Sequence, residues 1–132
     1  MNSTVISAIV CGIDAKLIEI QADISDGLPV FEMVGLLSSE VREAKERVRT
    51  ALKNSDYKLP ARHITVNMSP ANIKKSGSGF DLPVAIAILI AQELLPGEYF
   101  DKAIIIGEIS LNGTVVATDG ILPVALKAVL FN

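Results

Sequence analysis

Lys75-Ser76-Gly77-Ser78-Gly79-Phe80-Asp81-Leu82-Pro83-Val84-Ala85-Ile86-Ala87-Ile88-Leu89 decides how this chain is read. A glycine-serine loop runs directly into an apolar helix. Asp81 is placed to cap that helix, because its carboxylate can accept from the free N–H groups of the first turn. Pro83 falls in the first turn, where a missing N–H costs little. Every residue over 82–91 is apolar, so the helix has no wet face and belongs deep in the core. Glycine lets backbone approach a ligand closely, and helix N-termini attract anions. Ser76, Gly77, Ser78, Gly79 and Asp81 are therefore the candidate ligand site. The same residues also read as a plain tight loop feeding a core helix.

The rest of the chain is consistent with one domain. It has 132 residues, 50% apolar and 20% charged, which suits a globular domain with a core of its own. The lone Cys11 excludes an intrachain disulfide and fits a reducing, cytoplasmic setting. Met1-Asn2-Ser3-Thr4 does not read as a signal peptide, and the apolar run at 82–91 is too short to span a bilayer. A net charge of −3 gives no global attraction to nucleic acid, so any such attraction must come from a local patch.

Residues 5–13 read as a strand apolar on both faces, hence central in a sheet. Residues 16–24 alternate, with Ile18, Ile20 and Ala22 on one face, and residues 29–34 form a short third strand. Ser38 or Ser39 caps a helix reaching about Asn54, with Val41, Ala44, Val48, Ala51 and Leu52 as its buried stripe. Its other side carries Arg42, Lys45, Arg49 and Lys53, with Arg47 between. Arg62, Lys74 and Lys75 are candidate extensions in nearby segments. Such a stripe either is a solvated face with pairs such as Glu43–Arg47, or faces phosphates or a partner subunit. Ile64, Val66 and Met68 point inward from a strand over 63–68, which turns His63 outward. Residues 103–109 read as a strand, and Asn112-Gly113 as a hairpin turn. Asp119-Gly120 opens a last apolar helix running from Leu122 to about Phe131. An apolar helix at the end of the chain leads to the expectation that this is a piece of a longer protein. Strands and helices mix without a βαβα rhythm, which favours α+β.

Little catalytic chemistry is legible. The Gly-Ser loop lacks the Gly-Lys-Ser/Thr ending of a nucleotide phosphate loop. One histidine and no cysteine cluster leave no metal set and no Ser/His/Asp arrangement.

Asp26-Gly27-Leu28-Pro29, Val34-Gly35-Leu36, Val41-Arg42-Glu43, Arg47-Val48-Arg49, Ile64-Thr65-Val66-Asn67, Gly79-Phe80-Asp81-Leu82-Pro83 and Gly107-Glu108 occur in an order found in one family. Together they resemble the N-terminal domain of the ComM/YifB family, the magnesium-chelatase-like AAA+ proteins. Leu37, His63 and Lys75-Ser76 depart from the usual residues at their positions. The resemblance implies a fold of the Lon-protease C-terminal type, also called ribosomal-protein-S-five domain-two-like: a mixed sheet packed with helices, over residues 1–132. Gly107-Glu108-Ile109-Ser110-Leu111-Asn112-Gly113 is similar to a run in Lon. Lon uses a serine–lysine dyad, in which the lysine must lose its proton to activate the serine. By alignment the serine falls at or next to Asp81 and the lysine at Leu122, so neither dyad member is present and peptidase activity is not expected. The family implies a hexameric ATPase acting on DNA during transformation, with ATP and Mg held in an AAA+ module outside this chain. This domain would then serve subunit assembly or DNA contact, with no catalytic residue, metal or membrane partner of its own. The alternative is a phosphate or small-molecule binding enzyme domain, like the GHMP kinases, using the Ser76–Gly79 loop.

Overall fold

The computed structural model describes residues 1–118 and 121–131. Four strands form one sheet: β1 (Asn2–Cys11), β2 (Asp14–Ser25), β3 (Phe31–Val34) and β4 (His63–Ser69), in the order β1-β2-β4-β3. β1, β2 and β4 pair antiparallel, whereas β3 lies parallel to β4. The alternation read from sequence sets the two faces. Ile18, Ile20, Ala22 and Ile24 of β2 and Ile64, Val66 and Met68 of β4 are buried on the inner face. Glu19, Gln21 and Asp23 point outward in register with Ser69, Asn67 and Thr65.

α3 (Asp81–Ala91) covers the inner face of β1 and β2. Pro83, Val84, Ala85, Ala87, Ile88, Leu89 and Ala91 are buried, as an all-apolar helix requires. Ser3 on β1 donates to the Ala87 carbonyl at 2.5 Å, which docks the helix on the strand. α1 (Ser39–Arg42) and α2 (Ala44–Asn54) lie beside α3 and keep the expected apolar stripe of Val41, Ala44, Val48, Ala51 and Leu52. Ser38 is the cap, its Oγ accepting from Val41 N at 3.2 Å. An irregular turn at Glu43 divides what reads as one helix into two. A short 3₁₀ turn (Gly97–Phe100) follows α3, then the hairpin β5 (Glu108–Ile109) and β6 (Val115–Val116). α4 (Ile121–Phe131) closes the described chain, whereas Asp119-Gly120, read as its opening, lie outside the described residues.

Two expectations are corrected. β1 is the terminal strand of the four-stranded sheet, not a central one, with a single parallel bridge from Ile104 to Ile6 on its other edge. Its second face is apolar because α4 covers it, Val124 packing with Ala8 and Ala15. Residues 103–109 do not form a full strand. Their backbone groups go elsewhere: Ile105 N donates to Ile6 O at 2.8 Å, Gly107 N to Gly79 O at 2.9 Å, and Gly107 O accepts from Leu82 N at 2.9 Å. This segment thus ties β1, the Gly-Ser loop and the start of α3 together. The Asn112-Gly113 turn does make a hairpin, with Ile109 opposite Val115.

Candidate functional site

Asp81 is the first residue of α3, but it does not cap the helix. The N-cap position is Phe80, with no side-chain hydrogen bond there. Asp81 is fully buried and its carboxylate turns sideways. Oδ2 accepts from Arg47 Nε at 2.7 Å and from Ile109 N at 3.1 Å, and Oδ1 accepts from Arg47 Nη2 at 3.0 Å. A desolvated carboxylate cannot stay bare, and the planar guanidinium fork meets both of its oxygens. The hydrogen bond to Asp81 also raises the Arg47 pKa above its ordinary value. Arg47 Nη2 further donates to Glu40 O at 3.3 Å, and Nη1 lies 3.6 Å from the Glu43 carboxylate. One ion pair therefore joins α1, α2, α3 and β5. The resemblance to Lon would put its serine at or next to Asp81 and its lysine at Leu122, which is 70% exposed.

The Gly-Ser loop borders an open cavity of about 280 Å³, together with Val10, Glu40, Phe80, Ile106 and Thr118. Glu40 Oε1 accepts from Gly77 N at 2.8 Å. The loop amide that an anion would use is thus taken by the protein's own carboxylate, and a second negative charge there would be repelled. Gly77 has a φ of +90°, which favours glycine in this turn. Gly79 has no room for a side chain: a Cβ would sit 2.9 Å from Ile106 Cγ1. The two glycines are accounted for by backbone geometry and packing.

Lys75 does not extend the basic stripe. It is fully buried, and its Nζ donates to the Pro70 carbonyl. Burial lowers its pKa below the usual lysine value. Its backbone fixes the neighbouring loop as well: Lys75 N donates to Leu36 O at 2.8 Å, and Lys75 O accepts from Ser38 N at 2.9 Å. Lys74 beside it is exposed.

The remaining cations stay on the surface. Arg42, Arg49 and Lys53 are exposed and Lys45 is half-buried. Arg49 lies 3.7 Å from Glu46 within its helix. Arg62 pairs with Asp26 at 3.1 Å. The fold brings Arg49 and Arg62 to one shallow cleft of about 180 Å³ beside β3, shared with Val30, Leu59 and Pro60. It sends Arg47 to the other flank of α2. The sequence reading missed that role of Arg47, and that of Glu40 at the loop. Neither residue has a local pattern that marks a partner 34 or 37 positions away. Among the described residues, no three His, Cys, Asp or Glu side chains gather as a metal set, and no helix is long and apolar enough to cross a membrane.

These features define an α+β domain in which a buried ion pair ties the core helix α3 to α2 and β5. The family profile described as "Subunit ChlI of Mg-chelatase" matches residues 20–130, and the chain belongs to that family. It is similar to the competence protein ComM of Haemophilus influenzae, with 41% identity over 117 residues. It is also similar to the uncharacterised protein YifB of Escherichia coli, with 42% identity over 118 residues. Each alignment covers 89% of this chain but 23% of the relative, so the chain spans about a quarter of the length of these proteins.

Proposed function

We propose that this chain is a non-catalytic domain of a magnesium-chelatase-like ATPase of the ComM type, and that it serves subunit assembly. The observation that carries the reading is the Asp81–Arg47 pair. At or next to the position where the Lon resemblance implies a nucleophile, the chain carries a buried, fully bonded carboxylate. Such a group can neither attack a carbonyl nor bind an anion. The chain has no Gly-Lys-Ser/Thr phosphate loop, so ATP and Mg would be held by residues outside it. The alternative phosphate site at Ser76–Gly79 is disfavoured by Glu40, which already occupies the Gly77 amide. A fold of the ribosomal-protein-S-five domain-two type fits the mixed sheet with helices on its inner face, and stands as part of this proposal.

The surface available for assembly is the cationic stripe of α1 and α2, which the core leaves free. A second reading, DNA contact, is favoured by the same exposed cations and by the word "competence" in the name of one relative. Phosphate contacts weaken steeply with salt, each neutralised phosphate adding ~0.7–0.9 to the log–log slope. The test is the double variant Arg42→Glu/Arg49→Glu in a protein of the relatives' full length. Sedimentation and a salt titration of DNA binding are run on the same preparation. Assembly predicts that the variant falls to monomers. A variant that stays assembled but binds DNA with a reduced salt slope supports DNA contact instead. No change in either measurement makes the stripe a solvated face and ends both readings.

A further inference from the structure

Among the described residues, one face of the sheet is only partly covered. α2 and α3 lie on the inner side, and on the outer side α4 packs against the end around Ala8 and Ala15. Among the described residues, the uncovered part carries Asp and Glu carboxylates of these strands, set among polar groups and the exposed Val34. Asp23 and Glu32 stand in one row across the sheet, both in register with Thr65 of β4. Glu19 lies four residues along β2 from Asp23. All three carboxylates are exposed. The half-exposed imidazole of His63 lies beside them, its Nε2 3.4 Å from the Glu32 carboxylate. Thr4, Gln21, Asn67 and the exposed Val34 share the surface, with Asn67 donating to Gln21 at 2.9 Å. This acidic surface and the basic stripe of α1 and α2 occupy different sides of the molecule and do not overlap.

Their dimensions agree. Two strand spacings separate Asp23 from Glu32, about 10 Å, and four residues separate Glu19 from Asp23, about 13 Å. The helix rise places Lys45 and Lys53 about 12 Å apart.

We propose that the outer face of the sheet, at Glu19, Asp23 and Glu32, is the docking surface for the basic α1–α2 stripe of a second copy of this chain. The inference rests on the assembly reading above and names the face that reading lacks. The two patches differ, so the contact is head-to-tail and each copy uses both faces at once. Such contacts close into rings or continue as filaments. The contact is polar, so it is weak singly and sensitive to salt.

Two charge-reversed variants of the chain test this: Asp23→Lys/Glu32→Lys, with two basic faces, and Arg42→Glu/Arg49→Glu, with two acidic faces. All four positions are exposed, and thermal melts check that both variants fold. Sedimentation equilibrium is run on each alone and on their equimolar mixture, at low and high salt. The expected result is that neither variant self-associates, and that the mixture associates at least about tenfold more tightly than either alone, losing this at high salt. A mixture that associates no better than its components overturns the proposal. If Arg42→Glu/Arg49→Glu disrupts the full-length assembly but Asp23→Lys/Glu32→Lys does not, the stripe meets another surface. The assembly reading then stands and this inference falls. If neither pair disrupts the full-length assembly, both fall.

Discussion

Lys75 is fully buried, and its ammonium bonds a backbone carbonyl. Among the described residues no carboxylate is recorded within ion-pair distance of it. A long cationic side chain in that position is costly to keep charged, and desolvation lowers its pKa below the ordinary value of 10.5. The sign of the pH effect follows. Between the lowered folded pKa and 10.5 the unfolded chain binds a proton that the folded chain does not, so stability rises with pH across that window. Below the folded pKa both states are protonated and this slope vanishes. Lys75→Met removes the titration and keeps the length of the side chain. It also leaves Pro70 O without its donor, which offsets the relief of desolvation. The expected net change at neutral pH is therefore within about 2 kcal/mol. Urea denaturation from neutral pH toward pH 10 should show a rising slope in the parent that the variant lacks. Equal slopes in the two proteins would rule out this account of Lys75.

At the scale of elements, the Asp81–Arg47 pair holds the architecture at its most connected point. Asp81 begins α3, Arg47 projects from α2, and Ile109 N belongs to β5. Without the carboxylate, three hydrogen-bond donations lose their acceptor, and Arg47 keeps a charge in a largely enclosed setting. Breaking such a pair costs about 3–5 kcal/mol, and the 23% exposure of the Arg47 side chain lets water recover part of that. Asp81→Ala should therefore lose roughly 3 kcal/mol by chemical denaturation. Replacing both partners with apolar residues, Asp81→Leu/Arg47→Met, should recover much of the loss, because no uncompensated charge remains. A loss below about 1 kcal/mol for Asp81→Ala would mean that the pair contributes little to joining these elements.

For the whole molecule, the same pair predicts chemical inertness. Leu122 can take no proton and the Asp81 carboxylate is engaged, so no acyl transfer is expected from this domain, alone or within a longer protein. Incubation with an unfolded protein substrate should give no cleavage products. Cleavage that disappears on Ser76→Ala or Ser78→Ala would show that the loop supplies a nucleophile after all. Both serines border the open side of the loop cavity, where such an activity would have to reside.

Local periodicity made much of this domain legible. The unbroken apolar run over 82–91 identified the core helix, and alternation at 16–24 and 63–68 identified which side chains face inward. The stripe of Val41, Ala44, Val48, Ala51 and Leu52 oriented α2 correctly. These signals are carried within one element, because a residue's burial follows from the helical or strand repeat. The sheet order and the terminal position of β1 were not legible, since an apolar face reports that something covers it and not what does. The same limit applies to charge. In sequence, Asp81 looks like a helix cap, Lys75 like one more surface cation and Arg47 like a member of a solvated face. Only the tertiary structure sends Lys75 inward to Pro70 and joins Asp81 to an arginine 34 residues away. The physical reason is that desolvation and pairing depend on which elements meet in space, whereas the sequence by itself determines only the pattern that each element presents.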